Sequence, residues 1–211
     1  MNDFIKRLQE KDVPILFTSK DLKKLFFDKD ELEYLLKESL RNKSVYNIYK
    51  DIYTLARMYR RSLLSEGVLA QMIVPRSYVS TLYVLSMVNW IPEAVYTVSS
   101  ITDGDSIRYN FENFGSFRYD KLYIKVPTAG VYFKEDDNGK YRTATPLRAI
   151  CDYMYMFNKN WDGAEDIHIE LRIHYDDLEE LKKEDFDILH NKFGIENIEK
   201  FLIGLRRDLR I

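Results

Sequence analysis

The chain has few of the residues that stabilise small secreted proteins or mark unfolded ones. Cys151 is the only cysteine among 211 residues, so no intramolecular disulfide can form and we expect a reducing, cytoplasmic compartment. Eight glycines and five prolines are too few for a collagen-like or disordered chain. The longest apolar-leaning stretch, 79–91, is interrupted by polar residues and is shorter than the roughly 20 residues that a membrane-spanning helix needs. These absences predict a globular protein that does not bind a membrane.

Motifs that indicate a metal site or an enzyme are also absent. The three histidines have none of the standard zinc spacings, and no second cysteine accompanies them. No phosphate-binding glycine motif and no serine-nucleophile motif appears. The sequence therefore predicts no metal, no cofactor and no catalytic residue. We expect His168 and His174 to share one face of a strand, and Cys151 to be a buried structural thiol.

Charge is distributed unevenly along the chain. Residues 1–61 contain 14 Lys and Arg against 10 Asp and Glu, whereas the remaining 150 residues contain 18 against 24. The first segment therefore carries a net charge of +4 and the second one of −6. We predict a small basic domain over 1–61 and a larger acidic domain over 62–211, as expected when only one end of a protein contacts phosphate groups.

The first sixty residues follow the pattern of a winged helix-turn-helix. Apolar spacing predicts a short helix over 2–9 and a second helix that begins after Thr18, a favourable N-cap residue. A third helix begins after Asp28 and has leucines at i, i+3, i+4 and i+8 on one face. Residues 45–55 are β-prone with a polar break at Lys50-Asp51, which predicts a hairpin. Three helices followed by a hairpin are the order of elements in a winged helix.

We expect the third helix to enter the major groove of double-stranded DNA. Its face opposite the leucines carries Tyr34, Lys37 and Arg41, which can bind phosphate or guanine. Glu33 and Glu38 flank that face and oppose binding to phosphate, so a winged helix that docks proteins instead of DNA is an alternative. Together with residues of the second helix, the wing and the segment after it, the predicted DNA-binding residues are Thr18, Lys20, Lys23, Lys24, Tyr34, Lys37, Arg41, Lys43, Lys50, Arg57, Arg60 and Arg61.

The rest of the chain is predicted to be a mixed α/β domain with an antiparallel-rich sheet, so the whole protein is expected to belong to the α+β class. Alternation and turn signals indicate strands over 95–101, 107–111, 117–126, 131–133 and 141–143, and helices over 65–73, 80–89, 145–157, 183–192 and 196–206.

Three local expectations in this domain are specific enough to be tested by a structure. Asn138-Gly139 suits a type I′ hairpin turn. Residues 167–175 alternate between apolar and polar and are expected to form a strand. Arg148 and Asp152 stand four residues apart in a predicted helix, a spacing typical of an ion pair on a helix surface.

Several segments share their order and spacing with one protein family. They are 78–80, 87–93, 96–99, 130–132 and 144–155, together with the wing over 48–55. This pattern resembles the AbiEi-type antitoxins of abortive-infection toxin–antitoxin systems and covers most of the chain. The sequence departs from the family near Asn89 and near Asp51, where the family usually has glycine, and at Leu147, where it usually has an acidic residue.

The resemblance implies a bacterial transcriptional autorepressor that binds inverted repeats in its own promoter through the N-terminal domain. It also implies that the larger domain counteracts a nucleotidyltransferase-like toxin in phage defence, and direct contact with the toxin is not a family requirement. Such a protein is not an enzyme. A degenerate nuclease is the remaining alternative, since Asp166 and Glu170-Leu171-Arg172 come near an acidic residue followed by E-x-K, with arginine in place of lysine.

Overall fold

The structure, a computed structural model, describes residues 3–124 and 127–211, which form two compact units. In the described part of the chain, unit 1 runs to Ile73 and includes Glu135–Lys140, and unit 2 comprises the remainder. Unit 1 is therefore longer than the predicted segment 1–61. Helices combined with a three-stranded and a six-stranded sheet place the protein in the α+β class, as predicted.

Unit 1 is a winged helix with one helix added after it. Its small sheet has the strand order β1-β3-β2, and both pairs of neighbours are antiparallel. The elements are α1 (Asp3–Glu10), β1 (Leu16–Thr18), α2 (Ser19–Lys23), α3 (Lys29–Arg41), β2 (Val45–Tyr49), β3 (Ile52–Leu55), a 3-10 turn (Arg57–Tyr59) and α4 (Glu66–Ile73).

The helix starts in unit 1 follow from local capping chemistry. Thr18 and Asp21 form a capping box at the start of α2, and the Asp28 carboxylate accepts hydrogen bonds from the first turn of α3. Both N-caps were predicted from the sequence. Strand β1 was not, because its three residues are too few to show alternation; it becomes a strand by pairing with β3, Leu16 opposite Thr54.

The core of unit 1 joins the helices to the sheet. Phe4 and Leu8 of α1, Phe17 of β1, and Leu22 and Leu32 of the next two helices are all buried in one apolar cluster. The other leucines of α3 are half-buried against the same cluster. Helix α3 therefore has one face held against the core, which leaves the opposite face in solvent.

Asn138 fixes the hairpin tip Glu135–Lys140, which belongs to unit 1. Its side-chain amide donates to the backbone carbonyl of Leu63 at 2.9 Å and its Oδ1 accepts from the amide of Ser65 at 3.2 Å. The predicted type I′ turn is wrong: the two turn residues are Asp137 and Asn138, and Asn138 is not among the residues with positive φ. The contacts of the Asn138 side chain, not turn type, account for an asparagine here.

Unit 2 is built on a six-stranded mixed sheet in the order β6-β7-β5-β4-β9-β8. The pairs β4/β5 and β6/β7 are antiparallel, whereas β5/β7 and β4/β9 are parallel. Its elements are β4 (Ser77–Val79), α5 (Thr81–Met87), β5 (Thr97–Thr102), β6 (Ile107–Phe111), β7 (Gly115–Lys121), β8 (Val131–Asp136), β9 (Gly139–Ala144), α6 (Pro146–Met156), α7 (Ala164–Leu171), α8 (Tyr175–Leu178), α9 (Lys183–Leu189) and α10 (Glu196–Asp208).

One strand of unit 2 was not predicted, and several predicted strands have different bounds in the structure. Residues 77–79, which were not among the predicted strands, form the short strand β4, which lies between β5 and β9 in the sheet. The predicted strand 117–126 is observed as β7 and ends at Lys121, and Val126 lies outside the described residues.

A buried polar network crosses the centre of unit 2. Arg148 and Asp152 on α6 are both fully buried, so the predicted surface ion pair is wrong. Arg148 Nε donates to Asp152 Oδ1 at 2.8 Å, and the other Asp152 oxygen accepts from the hydroxyls of Ser80 at 2.7 Å and Tyr78 at 2.9 Å. Arg148 also donates to the carbonyl of Ala129 and to the Tyr78 hydroxyl.

Each member of this network is a titratable or polar group with a partner. Burial raises the pKa of the Asp152 carboxyl, and the Arg148 guanidinium offsets part of that effect. Burial likewise raises the pKa of Tyr78 well above its ordinary value. Because α6 also buries Leu147, Ile150 and apolar neighbours on all sides, its polar pair lies inside the protein and not on its surface.

The predicted strand over 167–175 is also wrong. Residues 164–171 form helix α7, and Arg172 ends it in the left-handed conformation at φ +56°. Ile167 and Leu171 are buried at i and i+4, whereas Ile169 is 67% exposed. Positions 167 and 171 fit a period of two as well as a helical turn, so the sequence pattern alone did not separate the two structures.

Among the described residues, none of the helices combines the length and the apolar character that a membrane crossing needs.

Candidate nucleic-acid interface

The exposed face of α3 carries the candidate recognition residues on one stripe. Steps of four, three and four residues place Asp30, Tyr34, Lys37 and Arg41 one above another. All four are exposed, and the Tyr34 side chain is 65% accessible. The stripe lies opposite the leucines that pack on the core, as the sequence predicted. Lys37 has no ion-pair partner among the residues that the structure describes.

The glutamates of α3 lie at the two edges of this stripe and have cationic partners. Glu38 Oε2 accepts from Arg41 Nη2 at 2.7 Å, and Glu33 Oε1 lies 3.7 Å from Lys29 Nζ. Both pairs are exposed, so each contributes little to stability and opens readily. Arg41 is therefore available to another anion once it leaves Glu38.

Helix α2 contributes lysines that differ in their availability. Lys20 and Lys23 are exposed, and neither has an ion-pair partner in the described ranges. Lys24 lies 3.2 Å from Asp21 Oδ1. The Thr18 hydroxyl donates to Asp21 Oδ2 at 2.7 Å and caps the helix, so its structural role is accounted for. Partial burial acts to raise the pKa of Asp21, but hydrogen bonds from the Thr18 hydroxyl and amide, together with Lys24, lower it overall.

The wing turn is tied to the start of α2 by Asp51. The Asp51 carboxylate accepts from the Ser19 amide at 3.2 Å and from the Ser19 hydroxyl. Lys20 follows Ser19 and Lys50 precedes Asp51, so both lysines flank this junction. Lys50 itself has φ +45° and its ammonium lies 4.9 Å from the centre of the Tyr49 ring.

The cations that follow α3 and the wing fall into two groups. Lys43 and Arg57 are exposed, and within 3–124 and 127–211 neither charged group has an ion-pair partner. Arg60 is half-buried, donates to the carbonyl of Leu55 at 2.7 Å, and has its pKa lowered by burial. Arg61 pairs with Asp12 and the carbonyl of Gln9. Arg60 and Arg61 therefore have structural partners in unit 1.

Two features of this surface were missed by sequence reasoning. Phe27, in the turn between α2 and α3, is fully exposed, although the two residues that precede it are apolar. The bond from Asp51 to Ser19 joins residues 32 apart, and no local pattern indicates it. The flanking sequence Leu25-Phe26-Phe27-Asp28 does contain a signal for Phe27, since only one of two consecutive phenylalanines can point at a helical core.

The residues of the nuclease alternative have structural roles. Asp166 caps α7 by accepting from the amide of Gly163 at 3.3 Å, and it also accepts from the amide of Asp162 at 2.7 Å. Glu170 accepts from the Trp161 indole at 2.7 Å and pairs with Lys159. The Lys159 hydrogen bond lowers the pKa of Glu170. In the described part of the chain, no group of three or more His, Cys, Asp or Glu side chains is arranged to hold a metal ion.

The contacts of the histidine pair and of the cysteine also indicate structural roles. His168 and His174 have ring centres 6.3 Å apart, but across the end of helix α7 and not along a strand. His168 Nδ1 lies 2.9 Å from the carbonyl of Ile173. Cys151 is fully buried, as predicted, and burial raises the pKa of its thiol well above the ordinary value.

No protein-family model matches the sequence, and no curated protein matches it either.

Proposed function

We propose that this protein is a transcriptional regulator that binds double-stranded DNA through the winged helix of unit 1. The observation that carries the proposal is the stripe of Tyr34, Lys37 and Arg41 on the solvent face of α3, whose other face packs on the core. A helix held in this way can enter a major groove without unfolding or losing core contacts. Its lysine and arginine offer donors to phosphate and to guanine.

The free cations of unit 1 support the same proposal. Lys20, Lys23, Lys37, Lys43 and Arg57 are exposed, and none has an ion-pair partner among the described residues. Binding phosphates with such groups releases condensed counterions, so affinity should fall steeply as salt rises. Of the predicted set, Thr18, Arg60 and Arg61 are the weakest candidates, because each has a structural partner.

More specifically, we propose that the protein is an autorepressor and antitoxin of the AbiEi type. It would repress its own promoter and counteract a nucleotidyltransferase-like toxin. This role rests on the resemblance described above. At two places where the sequence departs from the family, the backbone has a conformation that fits the family's usual residue. Asn89 has φ +61°, and Lys50, beside Asp51, has φ +45°. Both conformations favour glycine, the residue that the family usually has at or near these positions. A nucleotidyltransferase-like reading frame beside the gene would support the antitoxin role.

Replacing Lys37 and Arg41 by alanine tests the DNA-binding proposal. We expect the affinity for the DNA upstream of the gene to fall about 10- to 100-fold, because each side chain is assigned a contact to phosphate or to a base edge. The slope of log affinity against log salt should also become shallower by about one to two. Fluorescence anisotropy with labelled duplex over a salt series measures both quantities.

The matched control is Lys182→Ala/Lys183→Ala, which removes the same charge from exposed residues of unit 2. Its affinity and salt slope should equal those of the unchanged protein. Equal losses in the two double variants would show that only net charge matters and would overturn the assignment of α3. Circular dichroism spectra of both variants should match that of the unchanged protein, since all four side chains are exposed.

A protein-docking winged helix is the second candidate function, and two observations favour it. Phe27 is a fully exposed aromatic side chain beside α3, and Asp30, Glu33 and Glu38 lie on or beside the stripe. Exposed aromatic residues are enriched in protein interfaces, and carboxylates repel phosphate.

The variant Glu33→Gln/Glu38→Gln separates the two functions. If α3 faces phosphates, removing two negative charges and freeing Arg41 should raise DNA affinity about three- to tenfold. Glu179→Gln/Glu180→Gln, which removes the same charge from exposed residues of unit 2, should leave affinity unchanged. The same anisotropy titration at low salt measures both. No DNA binding by any variant would favour the protein-docking function.

A further inference from the structure

A cavity of about 490 Å³ lies on one face of the sheet in unit 2. Its floor is formed by strands β5, β6 and β7, and its walls by the first turn of α5 and the end of α6. This volume falls in the range of small-molecule sites. The cavity lies wholly within unit 2 and shares no residue with the proposed DNA-binding surface.

Two arginines face this cavity from neighbouring strands. Arg108 of β6 and Arg118 of β7 are directly opposite each other in the antiparallel register, so their side chains project from the same face. Like charges in this arrangement repel each other. Arg108 is exposed, and among the described residues its guanidinium group has neither an ion-pair nor a hydrogen-bond partner. An anion placed between the two guanidinium groups would relieve the repulsion.

The Asp120 carboxylate balances only one of the two positive charges of Arg108 and Arg118. Arg118 Nε lies 2.5 Å from Asp120 Oδ2, and both side chains are largely withdrawn from solvent, with 27% and 13% exposure. The cavity therefore retains a net positive charge from Arg108, Arg118 and Asp120. Arginine pairs of this kind favour phosphate, since each guanidinium presents a planar fork of donors.

The remaining lining divides into a polar floor and an apolar wall. Ser99, Ser116 and Asn110 lie in register beside the arginines and supply hydroxyl and amide groups. The wall is formed by Leu82, Met156 and Phe157, and the Arg118 guanidinium lies 5.8 Å from the centre of the Phe157 ring. A ligand that fits both sides has an anionic group and a flat apolar part.

Backbone strain marks the rim of the same cavity. Thr81, a β-branched residue that lines it, has φ +57°, a conformation that such residues rarely adopt. It is held there because the preceding Ser80 is anchored through its hydroxyl to Asp152 and through its amide to the carbonyl of Ser99. Strain of this type persists where the surrounding structure enforces it, and it concentrates at ligand sites.

We propose that this cavity binds a small organic phosphate with a planar base, of the nucleoside monophosphate class. Arg108 and Arg118 bind the phosphate, the polar floor binds the sugar, and Phe157 packs against the base. The site would give unit 2 a ligand-binding function of its own, separate from the DNA contacts of unit 1.

Isothermal titration of the full chain with adenosine and guanosine monophosphates tests this site. At least one of the two should bind with a Kd at or below about 1 mM, and adenosine and inorganic phosphate should each bind at least about tenfold more weakly. Arg108→Gln and Arg118→Gln should each weaken nucleotide binding by about tenfold or more. Thermal unfolding should shift upward with the nucleotide in the unchanged protein.

Two controls keep the outcome specific. Arg207→Gln removes one positive charge from an exposed residue that does not line the cavity, and Lys37→Ala/Arg41→Ala removes two from α3; both should bind the nucleotide as the unchanged protein does. Arg108 is exposed, so Arg108→Gln tests the site without risk to folding. No binding of either nucleotide, binding that survives both arginine variants, or equal affinity for inorganic phosphate would each overturn the proposal.

Discussion

Replacing Asp152 by alanine is expected to lower the free energy of unfolding by about 3–5 kcal/mol. The variant leaves the Arg148 guanidinium fully buried without a counter-ion, and it removes the acceptor of the Ser80 and Tyr78 hydroxyls. A buried charge that loses its partner keeps the whole cost of its desolvation. Chemical denaturation followed by tryptophan fluorescence suits the measurement, because Trp90 and Trp161 are the only tryptophans and both belong to unit 2.

Two further variants test whether burial of the ion pair causes the expected loss of stability. Glu196→Ala breaks an ion pair with Lys200 that has the same i, i+4 spacing but is exposed, so no measurable change is expected. Arg148→Met/Asp152→Ala removes both charges and should recover part of the lost stability, because no unpaired charge remains. If Asp152→Ala and Glu196→Ala have equally small effects, the pair does not support unit 2 in the way that its burial indicates.

Replacing Phe17 by alanine is expected to lower the stability of unit 1 by a similar amount, about 3–5 kcal/mol. Phe17 is fully buried in the core cluster, and its ring is stacked on Tyr53 with centres 6.1 Å apart. Truncation removes these contacts and leaves a cavity between β1 and the helices. Because α3 is held by the same cluster, the DNA binding that we propose for it should be lost as the variant unfolds.

The control for this prediction is the phenylalanine in the turn before α3. Phe27 is fully exposed, so Phe27→Ala should change stability by less than about 0.5 kcal/mol. Far-UV circular dichroism during denaturation is the appropriate measurement, since unit 1 has no tryptophan. A loss in Phe27→Ala as large as that in Phe17→Ala would contradict the arrangement of the core.

Local chemistry predicted the starts of several helices correctly. Thr18, Asp28 and Thr145 each accept a hydrogen bond from the first turn that follows them, and Pro146 occupies the first helical position. Such caps depend on residues within three or four positions, so they can be recognised without tertiary information. The wing could be predicted for the same reason, because its turn residues and its β-prone strands are adjacent in the chain.

The candidate DNA-binding surface was only partly predictable for a different reason. The solvent face of α3 follows from the spacing of its leucines, which also predicted that Lys37 and Arg41 are exposed. Which cations are free does not follow from spacing, because the partner of Arg61 is Asp12 and that of Arg7 is Glu31. Ion pairs between distant segments depend on how those segments pack.

The amino-acid sequence by itself determined where several helices and the wing hairpin begin, which face of α3 meets the core, and that the chain mixes helix with sheet, because these depend on capping and periodicity over a few residues. Tertiary structure alone decided that Arg148 and Asp152 lie in the interior, that 164–171 is a helix, and that Arg108 stands opposite Arg118. Burial and strand register arise from contacts between residues far apart in the chain, and only packing selects among the structures that a local pattern allows.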